Sequence, residues 1–258
     1  LHPRVRRQRQ MCIRDRSYII MKKILFLLAM LPMLVFTACS DDDENSLSLD
    51  KSEISLYYED EIKLIASDNV TWSSEDEFVA KVSSNGIVEG GHVGKTFIVA
   101  SNGAETVKCA VEVKPKYNTF VEPVLDFGAN KADIKAKEKR ELVTDNATSL
   151  GYKDSKDGVA IIYTFKNGKM NACGFGLQYK YTDDIMDFLL ERYAPATMNN
   201  DKDMFIFVNG MSGKWDMMVA LTVQSGMIQV MYAPKDATSK SISNEVPNMM
   251  EHARMILE

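Results

Sequence analysis

Short stretches in which apolar and polar residues alternate are the feature that most limits how this chain can fold. Apolar side chains recur at every second position within residues 54–58, 62–66, 78–82 and 107–113. A period of two places these side chains on one face of a β-strand, and no segment of this region has the 3.6-residue period of a helix. Turn-forming pairs such as Asn-Gly and Gly-Gly separate the stretches. The sequence therefore predicts a small all-β sandwich over residues 47–114.

Beyond Pro115 the pattern changes to mixed strand and helix signals. Asn130 followed by Asp133 is typical of a helix N-terminus, and Asn167-Gly168 predicts a tight hairpin. We expect a short helix and then two copies of a strand-strand-strand-helix block, which make residues 115–258 an α+β domain. In this domain we expect an antiparallel sheet with helices on one face. The predicted strands cover 149–153, 159–165, 170–179, 204–208, 215–223 and 227–232, and the predicted helices begin near 130, 182 and 246.

Four short motifs in the alternating region point to a known domain family. They are Val70-Thr71-Trp72-Ser73-Ser74, Val79-Ala80-Lys81-Val82, Asn85-Gly86-Ile87-Val88 and Gly94-Lys95-Thr96. Together they resemble the group-two bacterial immunoglobulin-like domain. The resemblance implies an immunoglobulin-like sandwich over residues 47–114 with Trp72 in its core. It also implies a surface-displayed module or a spacer in an exported protein.

The N-terminal region carries a targeting signal rather than a folded element. Thirteen apolar residues, 24–36, follow Met21, Lys22 and Lys23. They are too few to cross ~30 Å of hydrocarbon, which takes about 20 residues, but they are typical of a cleaved signal peptide. We therefore expect residues 21–38 to be a signal peptide. Residues 1–20 resemble a translated sequencing adapter, and we expect them to be an adapter-derived artefact outside the fold.

The signal peptide ends at a cysteine. Thr37-Ala38-Cys39 resembles the lipobox of bacterial lipoproteins, although Phe36 stands where leucine is usual. The resemblance implies that diacylglycerol is attached to the thiol of Cys39 and that the chain is cut just before it. The membrane would then be a partner through this anchor, because two or three acyl chains hold a protein to a bilayer almost permanently.

An acidic run directly follows the cysteine, and its residues are Ser40, Asp41, Asp42, Asp43 and Glu44. One interpretation is a solvated tether over residues 39–46. The run also resembles the export signal of Bacteroides-type surface lipoproteins, which implies an outer membrane lipoprotein exposed on the cell surface. The segments YNTFVEPVLDFGANKADI and DFLLERYAP resemble uncharacterised lipoproteins of the same group, which implies location and architecture but no activity.

The net negative charge of the chain argues against nucleic acids as partners. Beyond Ala38 the chain has 23 basic and 35 acidic residues, a balance of −12. Nucleic acids bind proteins largely through lysine and arginine, so we expect no nucleic-acid partner. Cys109 and Cys173 lie on apolar alternating faces, which predicts buried free thiols, although an exported protein could also oxidise them as a pair.

No motif for catalysis, metal binding or cofactor binding occurs, so we expect no catalytic residues, no metal and no cofactor. The leading prediction is a non-catalytic binding, adhesion or structural role, with a surface protein or a glycan as ligand. The alternative is a surface glycan hydrolase or accessory protein that uses acidic residues of the C-terminal domain. A pure spacer is a third hypothesis. Trp215, Tyr179, Tyr181 and Tyr193 are candidates for a sugar-binding platform, and the many methionines are expected to fill the core.

Overall fold

The computed structural model describes residues 46–198, 204–211, 213–224, 226–237 and 239–257. From Ser46 onwards the chain forms one compact unit. This described part is mainly β, with fifteen strands and three α-helices. The strands are distributed over three sheets, two formed by residues before 114 and one formed by residues after 140.

Seven short strands before residue 114 form two sheets around one core. They are β1 (Glu53–Leu56), β2 (Glu61–Lys63), β3 (Thr71–Ser74), β4 (Ala80–Val82), β5 (Ile87–Gly90), β6 (Gly94–Ser101) and β7 (Thr106–Val113). One sheet has the order β1-β7-β6-β3, with β1 parallel to β7, and the other has the order β2-β5-β4. Leu64, Val88, Ile98 and Cys109 are fully buried in the core that both sheets share. The alternating pattern thus correctly predicts β-structure in this region.

Trp72 lies on β3 and packs against this core. It is half-buried, so it lies at the border of the core, whereas the prediction placed it within the core. Gly86 occupies the turn below it with a φ of +78°. A Cβ atom at Gly86 would lie 3.0 Å from two carbons of the indole ring and 2.8 Å from the carbonyl oxygen of Leu64. Glycine is therefore required here both by the left-handed backbone and by the close approach of the indole ring.

The C-terminal half is built on one antiparallel sheet of eight strands. Its elements are α1 (Lys131–Lys137), β8 (Glu141–Asn146), β9 (Ser149–Lys153), β10 (Val159–Lys166), β11 (Lys169–Gln178), α2 (Thr182–Leu190), β12 (Ala194–Met198), β13 (Met204–Val208), β14 (Met217–Gln224), β15 (Met227–Pro234) and α3 (Ser239–Leu257). The strand order is β12-β13-β14-β15-β11-β10-β9-β8. The side chain of Asn130 accepts a hydrogen bond from the backbone N–H of Asp133, which confirms the predicted cap of α1.

The helices cover both faces of this sheet, so the prediction that they share one face is wrong. Helices α1 and α2 pack on the face that carries Ile161 and Tyr163 of β10. Helix α3 packs on the opposite face, against Ala160 and Ile162. Every residue of β10 except Lys166 is buried, because both faces of this central strand are covered. Such a continuous apolar run is typical of strands buried on two sides.

Two edge strands were absent from the prediction, and each block has four strands before its helix instead of three. Strand β8 is exposed at most positions, so its sequence lacks a buried face. Strand β12 contains Pro195, which disfavours a strand in the interior of a sheet but is tolerated at an edge. The last strands of the two blocks, β11 and β15, pair at the centre of the sheet. The strand order is therefore duplicated, whereas the placement of the helices is not.

Candidate functional site

The predicted anchor and export residues, Cys39 and the run 40–44, lie outside the described residues. Their lipidation and export therefore stay predictions. In the described part of the chain, no helix is both long and apolar enough to cross a membrane. The same part contains no group of three or more histidine, cysteine, aspartate or glutamate residues arranged to hold a metal ion.

The four aromatic candidates for a sugar platform do not come together. Tyr193 is buried in the core of the eight-stranded sheet. Tyr181 packs edge-on against Phe120, with ring centroids 5.6 Å apart. Trp215 is half-buried beside β14, and Tyr179 is 59% exposed. These side chains therefore form no common surface on which a sugar ring could stack.

A buried carboxylate lies at the end of α1. Both carboxylate oxygens of Glu138 accept hydrogen bonds from the guanidinium group of Arg140, at 3.0 and 2.9 Å. The hydroxyl of Tyr163 also donates to Glu138, and this hydroxyl in turn accepts the backbone N–H of Val124 at 2.9 Å. Arg140 extends the network to Asp154, with 2.7 Å between Nε and Oδ2. Each buried charge thus has partners, as a stable interior requires.

A second carboxylate, Glu122, binds two tyrosines: Tyr193, which directly precedes β12, and Tyr232 of β15. Tyr193 donates its hydroxyl to Oε1 of Glu122, and the hydroxyl of Tyr232 lies 3.5 Å from the same oxygen. Burial and then the charge of Glu122 raise the pKa of Tyr193 and of Tyr232 above the ordinary value of 10. Both hydroxyls consequently stay protonated and act as donors.

Cys173 lies near both carboxylates. It is fully buried and free, as predicted, and so is Cys109. Burial, followed by the charges of Glu122 and Glu138, raises the pKa of Cys173 well above its ordinary value of 9. A thiol must lose its proton to act as a nucleophile. Cys173 is therefore an inert part of the core.

The two glutamates line one cavity of about 580 Å³, which we call the linker cavity. Its walls come from the segment that precedes α1, the end of α1 and the end of β9, and they include Val121, Lys139 and Lys153. A glycan hydrolase needs two carboxylates across a cleft, and Glu122 and Glu138 both face this cavity. Their oxygens, however, accept the hydrogen bonds that hold the surrounding tyrosines and Arg140 in place.

A third carboxylate, which is fully buried, connects the two halves of the described unit. The side chain of Glu191 is fully buried at the end of α2. It accepts the backbone N–H groups of Lys116 and Tyr117, at 2.8 and 3.1 Å, and it also accepts from the guanidinium group of Arg192. Because Lys116 and Tyr117 follow the last strand of the N-terminal sheets after only two intervening residues, Glu191 holds the connecting segment against the C-terminal half.

The N-terminal half also contacts α2 through the turn between β5 and β6. The backbone N–H of Val93 donates to the carbonyl oxygen of Glu191 at 2.8 Å. His92 packs against Phe78, with ring centroids 4.2 Å apart. Burial lowers the pKa of His92 below its ordinary value, so its imidazole is neutral near pH 7. We call these contacts around Glu191, His92 and Val93 the junction.

The sequence prediction missed the junction, although one signal was present. Glu191 follows the last turn of α2 directly, where the helix dipole disfavours a negative charge. An acidic residue at that position needs specific donors. The backbone N–H groups of Lys116 and Tyr117 supply them, but these residues are more than seventy positions away in sequence and could not be identified from local pattern.

Comparison with known proteins identifies no family for this chain. No protein-family model matches the chain, and no curated protein matches it. Among the solved structures that are similar to this chain are two of the surface layer protein SbsC. For domains 1–6 the identity is 16% and the TM-score 0.24, over 74% of this chain and 21% of that chain. For domains 5–6 the identity is 14% and the TM-score 0.24, over 76% of this chain and 86% of that chain.

The chain thus spans about a fifth of the length of the first of these structures. A TM-score of 0.24 is too low to indicate a shared fold. Fold and site together define a mainly β protein in which a two-sheet N-terminal part is joined to an eight-stranded C-terminal part through a hydrogen-bonded junction.

Proposed function

We propose that this chain is a lipid-anchored cell-envelope protein with a non-catalytic binding, adhesion or structural role. In this proposal Cys39 carries the lipid, and the acidic run 40–44 directs the protein to the outer face of the outer membrane. An immunoglobulin-like sandwich over residues 47–114 then holds an α+β domain over residues 115–258 away from the membrane. The observation that carries the proposal is the junction at Glu191, which replaces a free linker by buried hydrogen bonds.

The N-terminal half supports the immunoglobulin-like part of this proposal. Its strands form two sheets that share one apolar core, which is the general plan of a β-sandwich. Trp72 projects from β3 towards that core and packs beside the turn at Gly86. A module of this kind, stabilised mainly by its own core, is suited to serve as a spacer between an anchor and a second domain.

The junction supports a structural role because it restricts movement between the two halves. A flexible linker would let the C-terminal half reorient freely. Here the two backbone N–H groups at the start of the connecting segment bind a fully buried carboxylate. Further along the same segment, Phe120 is buried in the core of the eight-stranded sheet. A force applied at the anchor would thus be transmitted directly to the C-terminal half.

The buried carboxylates support a non-catalytic role over the glycan hydrolase alternative. A catalytic acid must exchange protons with a substrate and must face it. Glu138 instead accepts hydrogen bonds from Arg140 and Tyr163, and Glu122 accepts them from two tyrosines. In the proposed function these groups stabilise the fold around the linker cavity.

Membrane fractionation of cells that express Cys39→Ser tests the anchor. The variant should move from the membrane fraction to the soluble fraction, whereas Ser40→Ala, which keeps the cysteine, should remain in the membrane. Mass spectrometry of the native protein should show acyl chains on Cys39 as the first residue. Unchanged partitioning of Cys39→Ser, or an intact leader without acyl groups, would contradict the proposal.

Protease treatment of intact cells tests surface exposure. The native protein should be degraded, and a variant in which Asp41, Asp42, Asp43 and Glu44 are replaced by their amides should be protected while it still fractionates with membranes. A periplasmic protein serves as the control for cell integrity. Protection of the native protein would place it inside the outer membrane and contradict the surface location.

A further inference from the structure

The outer face of the sheet β1-β7-β6-β3 contains a cavity of about 780 Å³, which we call the Phe97 cavity. Phe97 lies in the middle of β6 with its side chain 44% exposed, on the face that points away from the sandwich core. Its partner across the strand pair is Ala110 of β7, and the next residue in this row is Glu53 of β1. Ala110 adds only a methyl group beside Phe97, while the ammonium group of Lys108 on β7 lies over one face of the ring, 5.7 Å from its centroid.

Polar side chains surround the apolar surface formed by Phe97 and Ala110, which is the floor of the cavity. The neighbouring row of the sheet consists of Ser55, Glu112 and Lys95, which are register partners on β1, β7 and β6. Glu75 and Asp76, which follow β3, line the cavity as well. The cavity therefore combines an exposed aromatic ring with several carboxylate oxygens and the hydroxyl of Ser55, on the strands of the sheet and on the residues that follow β3.

The charged side chains around the cavity are exposed, so a ligand can replace their ion-pair partners. Lys95 and Glu112 form an ion pair of 3.2 Å, and Lys108 pairs with Glu75 at 2.5 Å, but all four side chains are well exposed. Exposed pairs of this kind contribute little to stability. Among the described residues, Glu53 takes part in no ion pair or side-chain hydrogen bond.

We propose that the Phe97 cavity binds a neutral glycan, with one pyranose ring stacked on Phe97. The apolar C–H face of a sugar ring fits an exposed aromatic ring, and its hydroxyl groups are donors for the carboxylates of Glu53 and Glu112. The proposal rests on the binding role proposed above and specifies the class of ligand.

The same features disfavour two other ligands. Acidic glycans would meet four carboxylates, against Lys95 in the lining and Lys108 over the ring of Phe97. The negative charges outnumber the positive ones and would repel such a ligand. An extended peptide binds a sheet mainly through backbone groups at an open edge. The central strands β7 and β6 are hydrogen-bonded on both sides, so the floor of the cavity offers no free backbone groups for such pairing.

Binding to soluble polysaccharides tests the proposal with the full-length protein in detergent micelles. The probes are a neutral glucan, a neutral mannan and a neutral galactan, with polygalacturonate as the acidic comparison, in affinity gel electrophoresis and titration calorimetry. At least one neutral polymer should bind, and polygalacturonate should not. Phe97→Ala should weaken this binding by about tenfold, while Phe97→Tyr should keep it within about threefold.

Tyr179→Ala is the matched control, because Tyr179 is also an exposed aromatic residue but lies in the other half of the unit. It should leave the affinity unchanged. Circular dichroism should show that Phe97→Ala is folded, since the side chain lies outside the core. The proposal is overturned if no neutral polymer binds, if polygalacturonate binds more tightly, or if Phe97→Ala and Tyr179→Ala behave alike.

Failure of this proposal and failure of the proposed function are distinguishable. Loss of neutral-glycan binding in Phe97→Ala supports the glycan site even if Cys39→Ser remains in the membrane fraction, which would refute only the anchor. Release of reducing ends from the bound polymer would refute the non-catalytic role without refuting the site. Absence of binding with normal release of Cys39→Ser would refute the site and leave the anchor intact.

Discussion

The backbone N–H of Val93 donates a hydrogen bond of 2.8 Å to the carbonyl oxygen of Glu191. The carboxylate of the same glutamate accepts the N–H groups of Lys116 and Tyr117. One residue at the end of α2 therefore holds both a turn of the N-terminal half and the start of the connecting segment. Stability and the relative position of the two halves should consequently depend on Glu191.

Glu191→Ala should lower the free energy of unfolding by about 3 kcal/mol, because it leaves two backbone N–H groups and the guanidinium group of Arg192 without their buried acceptor. Denaturant unfolding measures this change. Glu141→Ala, which removes an exposed carboxylate, is the control and should cost less than about 0.5 kcal/mol. Equal effects of the two substitutions would show that the junction does not stabilise the protein.

Stability should fall as the pH drops below about 6.5. Burial, assisted by the charge of Lys81 and outweighing the opposite effect of the Leu190 backbone, keeps the pKa of His92 below its ordinary value of 6.5. The folded state therefore binds a proton at His92 less readily than the unfolded state. The stabilisation is fully present above pH 6.5 and is lost as the pH falls through the lower, folded-state pKa.

Urea unfolding at a series of pH values between 8 and 5 tests this dependence. His92→Phe keeps a ring for packing against Phe78 but cannot be protonated. The free energy of unfolding should therefore change less steeply with pH between pH 7 and 5 in this variant. Tyr58 and Lys81 also face His92. Burial raises the pKa of Tyr58 above its ordinary value of 10, so its hydroxyl stays protonated throughout this range. An identical slope in the variant and the native protein would exclude His92 as the source.

Gly176→Ala should destabilise the C-terminal half by about 2 kcal/mol. Helix α3 crosses β11 at this glycine, and a Cβ atom there would overlap the side chain of Ala253. Ala253→Gly should restore part of the loss, because it removes the opposing methyl group. Thermal unfolding of both single variants and the double variant gives the coupling energy. Additive effects would mean that the two residues do not compete for the same space.

Trp72→Ala should cost about 3 kcal/mol through the cavity it leaves beside Gly86 and the core of the two N-terminal sheets. Trp215→Ala is the matched control, since this half-buried tryptophan precedes β14 and is absent from the buried core clusters. It should cost less than about 1 kcal/mol. A neutral result for Trp72→Ala would show that its indole does not support the N-terminal core.

Local pattern predicted most central elements of the C-terminal half. The strands at Ser149–Lys153 and Met204–Val208 have their predicted bounds, because turn-forming residues flank both segments in the sequence. Helix α2 begins at Thr182, as expected near its acidic first turn. The edge strands β8 and β12 were missed, because an edge strand is held by one neighbour and needs no buried face of its own.

The sequence by itself determined the local elements of this protein: the alternation of the N-terminal strands, the cap at Asn130 and the tight turn at Asn167-Gly168. These features depend on neighbours within a few residues. Tertiary structure alone decided that α3 covers the face opposite α2 and that Glu191 binds the N–H groups of Lys116 and Tyr117. When the residues on both faces of a strand are apolar, as in β10, the sequence pattern predicts that both faces are buried. It does not predict which helix covers each face.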